Sequence, residues 1–179
     1  MAKLDIIIAP DPRLKVNCRR IAKVDGPIRR LMDDMLETMY AAPGIGLAAP
    51  QVGVAKRLLV VDVAREGTPP EPHCMANPEI VWASDEDAVY NEGCLSLPEH
   101  YADVTRPAAV RVRYVDRDNE IRELEAKGIL ATCVQHEMDH LNGVLFVDHL
   151  SALKRNMILR KLVKAKKTGV FAPDREHAL

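Results

Sequence analysis

Residues His136-Glu137-Met138-Asp139-His140 constrain this chain more than any other five. They fall in a segment, Gly128 to Leu141, whose pattern predicts a helix ended by Asn142-Gly143. Four residues make slightly more than one helical turn, so both imidazoles leave the same face and can share one metal ion. Val134, Leu141, Val144 and Leu145 are apolar, which predicts that the helix is largely buried. Two imidazoles and a carboxylate on a buried helix need partners, and a metal with its water supplies them. Glu137, beside the first histidine, is placed to take a proton from such a water and to deliver it to a leaving amine. The same pentapeptide also arises by chance, with its histidines satisfied at the surface, so the flanking sequence has to decide.

A catalytic zinc-type site keeps three protein ligands and one open position. Downstream, His149 and His177 do not complete an H-E-x-x-H-x-x-G-x-x-H pattern. Upstream lies Glu92-Gly93-Cys94-Leu95-Ser96-Leu97-Pro98. Gly93 permits a tight turn that aims the Cys94 thiol inward, and a thiolate suits a soft divalent metal. Taken alone, Cys94 reads more readily as a small buried hydrophobe than as a ligand. A third segment, Gly44 to Gly53, is rich in glycine and alanine, suits close approach of another backbone, and offers the Gln51 amide. It lacks the Lys-Ser/Thr of a P-loop and the spacing of a dinucleotide loop, and by itself it also reads as a plain turn.

The rest of the chain predicts an α+β single domain over residues 1–179. Its antiparallel or mixed β-sheets pack around the buried H-E-x-x-H helix, with a further helix at the C-terminus. A first helix starts near Asp25-Gly26-Pro27, with Ile28, Leu31, Met32, Met35, Leu36 and Met39 on one stripe, and stops before Pro43. Arg57–Val63 reads as a buried strand, Glu79–Ala83 and Ala88–Asn91 as weaker ones, and Arg65–Pro72 as a loop. Val110, Val112 and Tyr114 alternate with charged neighbours, and a turn at Asp116–Asn119 leads into Glu120–Ala126, which predicts a hairpin. The last helix has Ser151 as N-cap and runs to about Lys167, stopped by Gly169. Its apolar face is read as Leu153, Met157, Ile158 and Leu162.

A formal net charge of −1 gives no argument for a nucleic-acid binder. No apolar run is long enough to span a bilayer. Cys18, Cys74, Cys94 and Cys133 show neither CxxC spacing nor disulfide-scaffold density, so reduced thiols and a cytoplasmic location are expected.

Gly44–Gln51, Glu92–Ser96 and Gln135–Gly143 match, in order, the forms G-x-G-L-A-A-x-Q, E-G-C-L-S and Q-H-E-x-D-H-L-x-G. The chain thereby resembles the peptide deformylases over nearly its whole length. The resemblance implies a metal-dependent amidohydrolase that removes the N-formyl group from the formyl-methionine of nascent polypeptides, releasing formate. It implies Cys94, His136 and His140 as metal ligands and Glu137 as general acid/base. Gln51 and the backbone N–H of Leu95 would stabilise the oxyanion. Gly46 would bond an extended substrate backbone, and Ile45, Ile129, Cys133 and His136 would surround the methionine side chain. For Ile129 and Cys133, simple core packing is an equally open reading. Glu92 and Asp139 are expected to orient ligands. The implied cofactor is one divalent ion, natively Fe(2+), with Zn(2+), Ni(2+) or Co(2+) accepted by the same ligands.

Some members carry an acidic residue where this chain has Pro43 and an arginine where it has Tyr101. The basic last helix, with Lys154, Arg155, Arg160, Lys161, Lys164, Lys166 and Lys167, is implied to dock on the ribosome; its ordinary reading is a solvated face. Two other functions stay in view: a metallopeptidase, and a fold whose Cys/His/His site is purely structural.

Overall fold

A computed structural model of the chain describes residues 2–169. His177 therefore lies outside the described residues. The chain order is α1 (Gly26–Ala41), β1 (Gly46–Ala48), β2 (Leu58–Val61), β3 (His73–Ala83), β4 (Asp87–Cys94), β5 (Leu97–Pro107), β6 (Ala109–Val115), β7 (Ile121–Lys127), α2 (Gly128–Leu141) and α3 (Ala152–Lys167). Strands β1-β2-β3-β6-β7 form one sheet in that order, and β4 and β5 form a separate hairpin. Every strand pairing is antiparallel, so of the two expected arrangements the mixed one is absent among the named strands.

The β2 run Leu58-Leu59-Val60-Val61 explains the layering. Successive side chains point to opposite faces of a strand. Leu58 and Val60 pack with Met32, Met35 and Met39 of α1. Leu59 and Val61 pack with Ala131, Val134, Met138 and Leu141 of α2. The sheet is covered on both sides, which is why this strand is a continuous apolar run rather than an alternating one. On its far side α2 meets the hairpin cluster: Cys94, Leu97 and Val104 pack with Phe146 and with Leu162 of α3, and the Phe146 ring stacks on His136 at 6.2 Å. The helix is thus enclosed by sheet and hairpin.

The expected boundaries of α1, α2 and α3 hold, with Asp25 accepting from the Ile28 N–H and Ser151 from the Lys154 N–H as N-caps. Two strands escaped the sequence reading. β1 is only three residues long inside a glycine-rich segment. β5 is bounded by prolines and carries mostly polar residues, and it is held by a long pairing with β4. The apolar face of α3 is also corrected. Ile158 and Leu162 turn inward, whereas Leu153 and Met157 face solvent. The inward stripe runs Ile158, Leu159, Leu162. Among the described residues no helix is long and apolar enough to cross a membrane.

Candidate active site and metal centre

The fold brings Cys94, from the end of β4, to His136 and His140 on α2. One donor atom from each lies within 4.8 Å of the other two, and all three side chains are buried. The Cys94 Sγ to His140 Nε2 distance is 3.4 Å. Sulfur and nitrogen ligands on one tetrahedral ion, with bonds of about 2.3 and 2.0 Å, are separated by roughly 3.5 Å. The donor set, its spacing and its burial therefore fit a divalent transition metal.

Cys94 is aimed by its hairpin. The β4–β5 register shifts between Glu92 and Cys94, and the connection is the two residues Leu95-Ser96. Gly93 does not supply the tight turn expected of it. It is needed for space: a Cβ there would lie 2.5 Å from the Tyr101 ring. Tyr101 on β5 thus lies against the residue beside the thiol. In the same way Gly46 makes room for Glu137, since a Cβ would come within 2.6 Å of its Oε1 and 2.8 Å of the Cys133 Sγ.

The two imidazoles differ in their surroundings. His136 donates from Nδ1 to Glu92 Oε1 at 2.9 Å. Desolvation opposes its positive charge, but Cys94 and Glu92 outweigh that and hold its pKa well above the ordinary value. The field that retains a proton there is the field that would retain a cation. Burial and the neighbouring His136 push His140 well below its ordinary value, the neutral state that metal ligation needs. His140 Nδ1 and Glu137 Oε2 are buried with no hydrogen-bond partner among the described residues.

Glu137 is pushed up to about 7, chiefly by desolvation. A carboxyl group poised there can both take and give a proton near neutral pH. Glu92 goes the other way: desolvation raises it, but Arg106 and His136 overcome this and hold it at about 2. Arg106 binds Glu92 through Nε at 2.7 Å and Nη2 at 2.9 Å, and binds Asp139 through Nη1 at 2.9 Å. Gln51, in a short 3-10 turn after β1, accepts from the Ala48 N–H at 2.9 Å. Its amide nitrogen donates to Ser96 Oγ at 3.1 Å and approaches Cys94 Sγ at 3.6 Å.

Residues 3–156 match the family model of polypeptide deformylases. The chain belongs to the peptide deformylase family. A peptide deformylase of Methylocella silvestris is 58% identical over 173 residues, covering 95% of this chain and 88% of that one. Two solved deformylases share the fold. That of Ehrlichia chaffeensis has a TM-score of 0.90 at 41% identity, over 95% of this chain and all (100%) of that one. That of Legionella pneumophila has a TM-score of 0.88 at 43% identity, over 96% and 100%. Peptide deformylases are metal-dependent hydrolases that remove the N-formyl group from nascent chains.

The deformylase pocket opens directly onto this cluster. Ile45, Gly46, Glu92, Gly93, Cys94, Leu95, Ile129, Cys133, His136 and Glu137 line it, so ten residues singled out in the sequence meet in one cavity. Gln51 and His140 are not on its wall, but they touch Cys94 from behind. Ile129 is 44% exposed, at the pocket rim rather than in the core. Cys133 does both, lining the cavity and packing in the core beside Ala48 and Val134.

Five contributors were missed: Tyr90, Asn91, Thr132, Ser96 and Arg106. Thr132 precedes His136 by four residues and so shares its face of α2, a signal available in the sequence. Arg106 follows Ala102 and Val104 at period two on the inward face of β5, legible only once that strand is recognised.

Proposed function

We propose that this deformylase hydrolyses formyl-methionyl chains with Glu137 as the proton-transferring group and Cys94, His136 and His140 as the metal ligands. One observation carries the reading: a buried Glu137 carboxylate with an unpartnered oxygen, beside a Cys/His/His donor set, on the wall of a pocket. When bound, a divalent ion supplies Lewis acidity to the formyl oxygen and acidifies a water. We take the native ion to be Fe(2+); the same donors accept Zn(2+), Ni(2+) or Co(2+).

Glu137 accepts a proton from the water that attacks the formyl carbon. It returns that proton to the α-amine as the C–N bond breaks, leaving formate and a free N-terminus. Negative charge develops on the formyl oxygen as the carbon becomes tetrahedral, and the Gln51 amide and the Leu95 N–H serve as its donors. Ala48 and Ser96 hold the Gln51 side chain in place beside Cys94.

The substrate backbone adds to β1, which is an edge strand of its sheet. Gly46 serves as its hydrogen-bonding residue, and the methionine side chain enters among Ile45, Ile129, Cys133 and His136, with Tyr90 and Thr132 extending that wall. All of this lies within one catalytic domain that we take to span residues 1–179.

We assign the enzyme to the cytoplasm, acting on chains as they leave the ribosome. Lys154, Arg160, Lys161, Lys164 and Lys167 are solvent-exposed on α3 and suit phosphate contacts. Lys166 is not one of these free cations, because its Nζ is held by the Ile8 and Pro10 carbonyls. Charge reversal at Lys161 and Lys164 should therefore weaken ribosome binding in a salt-dependent way; unchanged affinity removes this part of the proposal. The hydrolytic reading is tested with formyl-Met-Ala-Ser beside its unformylated counterpart. Formate release from the first and no cleavage of the second is expected. Internal cleavage of the unformylated peptide would make the protein a peptidase instead.

A further inference from the structure

His136 is the ligand whose far nitrogen is held, and what holds it is a chain of side chains drawn from four elements. Glu92 on β4 accepts from His136 Nδ1 at 2.9 Å. Arg106 on β5 grips Glu92 with two parallel bonds and spends its remaining nitrogen on Asp139 of α2. Asp139 Oδ2 is shared with His149, 2.8 Å away in the 3-10 turn that follows α2. Glu92 and Arg106 are almost completely enclosed, with side-chain exposures of 4% and 6%.

Nothing in overall stability demands such a device. Taking a guanidinium and a carboxylate out of water costs about as much as their attraction returns, and apolar residues of the same volume often serve as well. What an apolar pair cannot do is fix a carboxylate oxygen at one point beside His136. The guanidinium does this through its planar fork, which sets both Glu92 oxygens in one plane. Its third nitrogen ties that plane to Asp139, three residues beyond His136 and so one turn along the same helix. The ring that must present Nε2 is thereby referenced to the hairpin that presents Cys94.

We infer that Arg106 is the positioning residue of this site, holding Glu92 so that His136 presents its free nitrogen beside Cys94, with Asp139 and His149 as the outer end of the same chain. The inference rests on the reading of Cys94, His136 and His140 as metal ligands and extends it to residues that touch neither metal nor substrate. It has a distinctive consequence. Lysine keeps the charge at 106 but cannot form the fork, so a charge-conserving substitution should loosen the metal.

The full-length protein loaded with Co(2+) provides the test. Its visible absorption reports the ligand geometry, and titration with a chelator reports how tightly the ion is held. Arg106→Lys should lose half of its cobalt at a chelator concentration roughly 10- to 100-fold lower than the parent, with an altered spectrum. Asp139→Asn, partly exposed and leaving the Arg106–Glu92 pair intact, should show a smaller loss, and His149→Ala the least. Folded Arg106→Lys that keeps cobalt as tightly as the parent, with the same spectrum, overturns the inference. If Arg106→Lys does not fold, Asp139→Asn decides by the same two readouts: looser cobalt with an altered spectrum supports the inference, and parental values overturn it. Formyl-peptide turnover by the cobalt-loaded parent separates the two failures. A parent that releases no formate refutes the deformylase roles and leaves the metal-retention ranking standing; a parent that turns over normally beside variants with unchanged cobalt refutes only the positioning chain.

Discussion

Helices α2 and α3 are of similar length, and both carry many polar residues, yet they use them in opposite ways. In α2, Gln135, His136, Glu137 and His140 are all buried. Gln135 answers the Pro107 carbonyl, His136 answers Glu92, and His140 lies against Cys94. In α3 Lys154, Arg160, Lys161, Lys164 and Lys167 point to water, and Leu162 is its one fully buried side chain. A buried polar group needs a partner, so Gln135, His136 and His140 each tie α2 to another segment. An exposed cation dictates nothing beyond its own solvation. That contrast is why one helix organises the fold and the other lies along its surface.

The sharpest way to break the contrast is to change one side chain in each helix. Glu137→Gln keeps the shape of the side chain and removes the carboxyl group to which proton transfer is assigned. Formate release from formyl-Met-Ala-Ser should fall by about 10²–10⁴-fold, while the metal content stays near that of the parent. Met157→Ser, exposed on α3, should leave turnover unchanged. A Glu137→Gln enzyme with near-parental turnover would remove the assigned role.

Metal removal probes the same helix through stability. A ligand present at about 1,000 times its dissociation constant stabilises the folded state by about 4 kcal/mol. For a domain of this size that corresponds to a melting-temperature shift on the order of 10 °C. Dialysis against a chelator should lower the melting temperature accordingly, and added Co(2+) or Zn(2+) should restore it. An unchanged melt would mean that the α2 donors are satisfied without an ion.

The same asymmetry decided how much could be read from the sequence. α2 was legible to the residue, because its apolar surroundings and its His-Glu-x-x-His spacing speak for burial and shared chemistry together. α1 was legible for a simpler reason, an uninterrupted stripe from Ile28 to Met39 with Asp25 as its cap. Strand β5 was not, since a hairpin strand held by pairing with β4 needs little apolar character of its own. With it went Arg106, whose inward direction depends on that pairing. Gly93 was recognised as special but for the wrong reason, because a ring from another strand, Tyr101, cannot be placed by local spacing. The outward turn of Leu153 and Met157 was equally hidden, for a helix packed along a narrow seam leaves apolar residues in water without any local sign.

Two leucines of α3 turn that last point into a measurement with identical chemistry at both positions. Leu162 is fully buried with Leu14, Leu97 and Phe146, and Leu162→Ala should cost about 2–5 kcal/mol in urea unfolding. Leu153 is 72% exposed, and Leu153→Ala should fall within about 0.5 kcal/mol of the parent. Helix propensity slightly favours alanine at both sites, so it cannot produce the difference. Burial alone separates them. A Leu153→Ala cost that approaches the Leu162→Ala cost would show that the outer face of α3 is covered in solution. Repeating the unfolding at several protein concentrations then tells whether a second copy of the chain covers it, since only association makes that cost concentration-dependent.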